Sequence, residues 1–252
     1  MTGRACGQGG RDGVPRAALH LLDGFELESG GEPITVPRST ERLLALLALH
    51  PHSHREVVAG TLWPDVSERQ ALASLRTSLW RINRIVPELV VVDGQTVTLS
   101  SSAEVDTTEQ EAFVIVLLRA QRLDVSWVED GLGALWPRQL LPGWYEDWVV
   151  VERERLNQLR MHALERAARM LVDHGNVDGA LDLAVEAVRS EPLRESANEQ
   201  LIRVHLARGN VYDALRQFHQ YRRLVAVELD AHPSGSLLSL VAPWMSARSG
   251  RV

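Results

Sequence analysis

The stretch Ser67-Glu-Arg-Gln-Ala-Leu-Ala-Ser-Leu-Arg-Thr-Ser-Leu-Trp-Arg-Ile-Asn-Arg84 constrains the fold more than any other part of the chain. On a helical wheel, Leu72, Leu75, Leu79, Ile82 and Val86 fall in one arc, the mark of a helix packed on a core along that side. The opposite arc carries Gln70, Ala73, Thr77, Arg81 and Arg84, with Arg69, Arg76 and Trp80 at its margin. Ser67-Glu-Arg-Gln70 reads as a capping box that starts the helix, and Pro87 closes it. Behind it, Leu89 to Leu99 alternates around Asp93-Gly94, a pair suited to a tight primed turn between two strands. An arginine-bearing helix followed at this spacing by a β-hairpin predicts a winged helix-turn-helix.

The residues ahead of that helix supply the remaining parts. Leu19 to Glu28 and Pro33 to Val36 read as two strands joined by Ser29-Gly-Gly-Glu32. A helix follows, capped by Ser39 or Thr40, with Leu43, Leu44, Leu46 and Leu47 on its apolar face and Pro51 beyond its end. Ser53-His-Arg-Glu56 offers a second capping box, for a short helix that stops at Trp63-Pro64.

From Val105 the pattern becomes almost purely helical. Helices are expected over 107–121, 126–136, 146–173, 177–190, 194–208, 211–229 and 234–247, separated by breakers such as Trp136-Pro137, Leu141-Pro-Gly143 and Gly175-Asn176. His174-Gly-Asn-Val-Asp-Gly-Ala-Leu181 recurs as Arg208-Gly-Asn-Val-Tyr-Asp-Ala-Leu215, an offset of 34 residues. Glu165 and Glu199, and Arg169 and Arg203, keep the same offset, which is the tetratricopeptide period. The small Ala180 and Ala214 let paired helices approach closely, although the aromatic positions typical of that repeat are missing. The expected fold class is therefore mainly α with a small β component: an N-terminal winged helix-turn-helix followed by an all-α tetratricopeptide-like domain. The expected boundaries are a glycine-rich disordered tail over 1–16, the winged helix over 17–103 and the helical repeats over 105–245.

Composition removes several function classes. All 27 basic residues are arginine. Without lysine there is no phosphate-cradle lysine for a P-loop NTPase, no Schiff-base amine and no protein-kinase strand lysine. Nor does a Gly-x-Ser-x-Gly elbow or a Ser/His/Asp constellation stand out, so an enzyme is not expected. The lone Cys6 can build neither a disulfide framework nor a thiolate metal site. The longest apolar run, Ala112 to Leu118, is too short to span a bilayer, and no signal peptide is visible, so a cytoplasmic protein without membrane contact is expected.

The net charge of −6 argues against diffuse nucleic-acid binding. Residues 1–104 hold ten arginines against twelve acidic residues, but 67–84 alone hold four arginines against one glutamate. A small basic face on an otherwise acidic chain permits binding that depends on geometry. Small residues let a helix backbone approach the major groove, while polar and arginine side chains reach base edges or phosphates. Double-stranded DNA is the expected partner. Thr77, Arg81 and Arg84, with Arg69, Gln70, Ala73, Arg76 and Trp80, form the expected contact face, and Gln95 and Thr96 at the hairpin tip are expected to probe the adjacent backbone or minor groove. His50-Pro-His-Ser-His54 lacks an acidic or Cys partner nearby and reads as a surface turn, not a metal site; no cofactor is expected. Trp144, Tyr145 and Trp148 read as a core or interdomain plug.

A family resemblance attaches to these motifs. The strand order, Glu41-Arg-Leu-Leu-Ala-Leu-Leu47, Leu62-Trp-Pro-Asp65, Ala71 with Leu75-Arg76 and Leu79-Trp-Arg-Ile82, and Val105-Asp106 resemble the OmpR-type winged helix of Streptomyces antibiotic regulatory proteins. The second half resembles their bacterial transcriptional activator domain, through Leu156 to Glu165, Glu191-Pro-Leu-Arg-Glu195, Arg208 to Leu215, Tyr221-Arg-Arg-Leu224 and Glu228-Leu229. Arg81 and Arg84 match arginine positions of the family's recognition helix; Asn83 departs from it, standing where another arginine is common. The resemblance implies an activator of secondary-metabolite biosynthetic genes that binds direct-repeat operators as a homodimer and contacts RNA polymerase. Larger relatives append an NTPase module, which this lysine-free chain is not expected to carry. The rival reading is a tetratricopeptide-type adaptor whose winged helix no longer binds DNA.

Overall fold

The computed structural model describes residues 17–122 and 124–246. The tail expected over 1–16, with Cys6, lies outside them. The chain forms two compact units. The first is built from the described residues up to Glu109 together with Arg138–Arg153, the second from Gln110–Pro137 and from Glu154 onward.

In the first unit the element order is β1 (Ala17–His20), β2 (Glu26–Ser29), β3 (Glu32–Pro33), α1 (Arg38–Leu49), β4 (Ser53–His54), α2 (Arg55–Leu62), α3 (Glu68–Ile85), β5 (Val90–Asp93), β6 (Thr96–Leu99) and β7 (Glu104–Val105). One sheet runs β3-β2-β1-β7, with β1 antiparallel to β2 and parallel to β7; the other runs β4-β6-β5. The core under the helices is Leu43, Leu47, Val58, Leu62, Leu75 and Val97, all at most 1% exposed.

Three local expectations are corrected. Leu19 to Glu28 is a hairpin and not one strand, because Asp23 (φ 67°) and Gly24 (φ 155°) reverse the chain. The Asp-Gly signal that marks the later hairpin was present here too. Helix α1 is capped by Pro37 and not by Ser39 or Thr40: the Pro37 carbonyl accepts from Thr40 N–H (2.8 Å) and Glu41 N–H (3.0 Å), while the Thr40 side chain is fully buried. Ser53 does not cap α2; it pairs with Val97 in the sheet, and its hydroxyl donates to the His50 carbonyl at 2.7 Å.

The boundary at 104 also leaves out a return. Residues 138–153 go back to the first unit, where Leu140 bridges Leu22 and Leu141 N–H donates to the Leu21 carbonyl at 2.8 Å. Arg138 Nε donates to Asp23 Oδ2 at 2.9 Å; this bond, with the Gln139 N–H, holds the Asp23 carboxyl below the usual carboxylate range. Trp144 stacks on Phe25 at 6.0 Å and lies under the Arg38 guanidinium at 3.5 Å. Trp148 packs on the helical core, whereas Tyr145 is 84% exposed, so the core reading holds for the two tryptophans alone.

The second unit draws on α4 (Asp106–Arg119), α5 (Val125–Gly131), a 3-10 turn (Leu132–Leu135), α6 (Asp147–Asp173), α7 (Val177–Ser190), α8 (Glu195–Ala207), α9 (Val211–Leu229) and α10 (Gly235–Ser246). The helix expected over 126–136 splits at Gly131, where the Phe113 ring presses so close that a Cβ would stand 1.9 Å from it. Phe113 is itself stacked on Trp127 at 4.7 Å and cannot swing away freely. Gly131→Ala is therefore expected to destabilise the unit by about 1–3 kcal/mol, the usual cost of overpacking, measured by urea unfolding.

The 34-residue repeat has a visible physical basis. Gly175 and Gly209 take φ of 84° and 72°, the left-handed conformation that ends α6 and α8. The next amides reach back, Asn176 N–H to the Leu171 carbonyl (2.8 Å) and Asn210 N–H to the His205 carbonyl (2.9 Å). The same two asparagines then cap α7 and α9, accepting from Gly179 N–H (3.0 Å) and Asp213 N–H (3.2 Å). Ala180 and Ala214 are fully buried. Among the described residues, no helix is long and apolar enough to cross a membrane.

Candidate nucleic-acid interface

Helix α3 starts as its sequence predicts. Gln70 Oε1 accepts from Ser67 N–H (3.1 Å) and Ser67 Oγ (2.8 Å). Ala71, Leu75, Ser78 and Ile82 are buried, Leu72 and Leu79 are half-buried, and at the far end Val86 N–H donates to the Ile82 carbonyl at 2.8 Å. The inward arc pins the helix, which leaves the outward arc free for a ligand.

That outward arc contains Arg69, Gln70, Ala73, Arg76, Thr77, Trp80, Arg81 and Arg84, all exposed. None of its four arginines has an ion pair among the described residues, although Arg38, Arg42, Arg155, Arg194 and Arg203 elsewhere are all matched by glutamates. Arg84 instead lies over the Trp80 ring at 4.8 Å, and Trp80 is 59% exposed. The stacking holds the guanidinium near the helix surface without neutralising it.

Two polar groups have their hydrogen-bonding roles narrowed. Thr77 Oγ1 donates its proton to the Ala73 carbonyl at 3.0 Å, so towards a ligand it can only accept, and its methyl is left for apolar contact. Gln70 has its carbonyl engaged at the cap and retains its amide donors. Asn83, the departure from the family pattern, closes the helix end: its Oδ1 accepts from Glu88 N–H at 3.4 Å.

Beside this face runs a groove of about 360 Å³, lined by Ser39, Trp63, Ser74 and Ser78 together with Ala73, Thr77 and Arg81. No carboxylate lines it. Ser78 is 2% exposed, and its hydroxyl has no partner among the described residues. Sequence reasoning missed Ser39, Trp63, Ser74 and Ser78. Ser74 and Ser78 repeat at i, i+4 on one flank of α3, a signal the wheel contained, but Ser39 and Trp63 reach the groove only through the tertiary packing of α1 and α2.

The wing differs by one residue from its expected form. Asp93 pairs with Thr96, so the two-residue turn is Gly94-Gln95, with Gly94 (φ 56°) at its first central position. Gln95 is exposed, and its carbonyl accepts from Arg55 N–H at 2.8 Å. Thr96 stands in the ladder, half-buried and paired with His54, and is not at the tip. His50, His52 and His54 follow one another through the turn after α1; no group of three His, Cys, Asp or Glu side chains able to hold a metal occurs among the described residues.

The first unit is thus a winged helix whose outward helix face carries four arginines without ion pairs among the described residues, and the second is an array of paired helices. Residues 119–242 match the family model "Bacterial transcriptional activator domain". The Regulatory protein AfsR of Streptomyces coelicolor is 27% identical over 258 residues, covering 91% of this chain and 26% of the relative. The Regulatory protein AfsR of Streptomyces griseus is 26% identical over 230 residues, covering 86% and 23%. The chain thus spans about a quarter of the length of the curated relatives it matches. A solved structure of Mycobacterium tuberculosis EmbR, in complex with a low affinity phosphopeptide, has the same fold, with a TM-score of 0.74 at 17% identity over 94% of this chain and 66% of that one. The second half of the chain thus carries a bacterial transcriptional activator domain, and the chain is similar to regulators of the Streptomyces antibiotic regulatory protein type.

Proposed function

We propose that this chain is a sequence-specific DNA-binding regulator that activates secondary-metabolite biosynthetic genes, binding direct-repeat operators as a homodimer and contacting RNA polymerase through its helical repeats. The observation that carries the DNA reading is the outward face of α3, with four arginines free of ion pairs among the described residues around the small Ala73 and Thr77. Helix α3 enters the major groove. Thr77, Arg81 and Arg84 face base edges, and Arg69, Gln70, Arg76 and Trp80 meet the flanking backbone. The hydroxyl-lined groove beside Arg81 takes a phosphate, and Gln95 at the wing tip approaches the adjacent backbone or minor groove, with Thr96 behind it. The polymerase, homodimer and operator assignments rest on the resemblance of the sequence motifs to the Streptomyces antibiotic regulatory proteins.

Duplexes selected from a random pool would supply the cognate site. On that site Arg81→Ala is expected to weaken binding by about 1–3 kcal/mol, roughly five- to 150-fold, if it reads a base. Arg76→Ala should weaken binding similarly on all sequences and flatten the salt dependence by about one counterion. Unchanged gel shifts for both Arg81→Ala and Arg84→Ala would show the docking to be wrong. Absence of any DNA affinity at low salt would favour the adaptor reading, which the acidic balance of residues 1–104 motivates.

A further inference from the structure

Within the second unit a groove of about 470 Å³ lies along α6, α8 and α10. Its volume is that of a small-molecule site. Val172, Leu206 and Leu240 form apolar walls. Gln200, only 4% exposed, lines it with a carboxamide that has no hydrogen-bond partner among the described residues. Its polar atoms open onto the groove, where a ligand can meet both the amide donors and the carbonyl acceptor.

The charges of the groove narrow what that ligand is. Arg203 donates to Glu199 through both Nε (3.0 Å) and Nη2 (2.6 Å), so this pair neutralises itself. Arg169 and Asp173, one turn apart on α6, are exposed and have no ion pair among the described residues, with each other or with anything else. The cation stands N-terminal to the anion, the less favourable sense for an i, i+4 pair. The groove therefore presents one free guanidinium, one free carboxylate, a two-way amide and an apolar wall.

We propose that this groove binds a small zwitterion with an apolar side group, a free α-amino acid such as leucine or phenylalanine or a dipeptide of such residues. Its carboxylate accepts from Arg169 and from the Gln200 amide nitrogen. Its ammonium donates to Asp173 and to the Gln200 carbonyl, and its side chain lies against Val172, Leu206 and Leu240. One ligand satisfies every unmatched group of the groove. An anion alone would leave Asp173 facing it, and a purely apolar ligand would leave Gln200 unmatched.

The test is calorimetric titration of the full chain with L-leucine, L-phenylalanine and Leu-Leu, beside leucinamide, N-acetylleucine and N-acetylleucine amide. Expected is saturable binding by at least one zwitterion, weakened by about ten-fold or more when either charge of the ligand is capped. Arg169→Ala and Asp173→Asn remove exposed groups, and Gln200→Leu conserves volume; unfolding curves would establish that all three variants fold. Each should lower the affinity by about ten-fold or more. No binding of any zwitterion, undiminished binding by Gln200→Leu, or equal binding of the doubly capped N-acetylleucine amide would overturn the proposal. The last result would mark the groove as a seat for peptide backbone.

Discussion

Asp106→Ala is expected to destabilise the first unit by about 3–5 kcal/mol, since each hydrogen bond to a charged acceptor contributes about 1.5–3 kcal/mol. The two carboxylate oxygens accept separately from Leu21 N–H (3.0 Å) and Leu22 N–H (3.1 Å). Leu21 and Leu22 are 0% and 6% exposed, so water cannot readily replace the lost acceptor. The position matters because the two amides leave the sheet just where β1 ends, and Asp106 follows β7, the strand paired to β1 on its other edge. Asp106→Asn keeps one acceptor oxygen and should lose about half as much. Urea unfolding measures both effects, and hydrogen exchange at Leu21 and Leu22 localises them. If Asp106→Ala unfolds at the wild-type urea concentration, the carboxylate is not what closes this sheet.

The same residue shows how far the sequence could be read. Val105-Asp106 was recognisable as part of a family pattern, but its task was not, because the amides it serves lie more than eighty positions earlier. Features whose cause is local were legible. The apolar stripe of α3, the Ser67–Gln70 cap and the Gly-Asn junctions of the 34-residue repeat are each decided within a turn or two of chain. Where two local signals competed, reading one of them alone failed. Ser39 looked like a cap, but Pro37 already set the start of α1, whereas Ser53 was drawn into a strand by a distant residue, Val97. Features that depend on a distant partner were not legible at all. The return of 138–153 to the first unit follows from backbone bonds to Leu21 and Asp23, and the groove beside Arg81 needs Ser39 and Trp63 brought in from other helices. The eight outward residues on α3 could be named because a helix face is a local property, while Thr96 was misplaced because a turn shifted by one residue moves it into the ladder.

Arg194→Ala is expected to cost about 3 kcal/mol, at the lower end for breaking a largely buried ion pair. Arg194 sits in the Glu191-Pro-Leu-Arg-Glu195 element, and its side chain is 16% exposed. Its Nε donates to Glu165 Oε1 at 2.7 Å and its Nη1 to Gln158 Oε1 at 2.8 Å, joining the start of α8 to two points of α6 about two turns apart. Glu195 binds the other way: its Oε2 accepts from Ser234 N–H at 2.9 Å and from the Tyr221 hydroxyl at 3.3 Å. Burial, reinforced by that carboxylate, pushes the Tyr221 hydroxyl up to about 12. Adjacent residues thus tie one helix start to α6 on one side and to α9 and the approach to α10 on the other. Removing Arg194 leaves Glu165, 12% exposed, with the Ser196 hydroxyl at 2.7 Å as its one partner among the described residues, and the stranded charge dominates the loss. It follows that Glu165→Met combined with Arg194→Met should recover most of the stability lost by either alone, since a matched apolar pair carries no stranded charge. A double-mutant cycle by urea unfolding decides it. Additive losses would mean that Arg194 acts chiefly through Gln158 and its own packing, and that the ion pair contributes little.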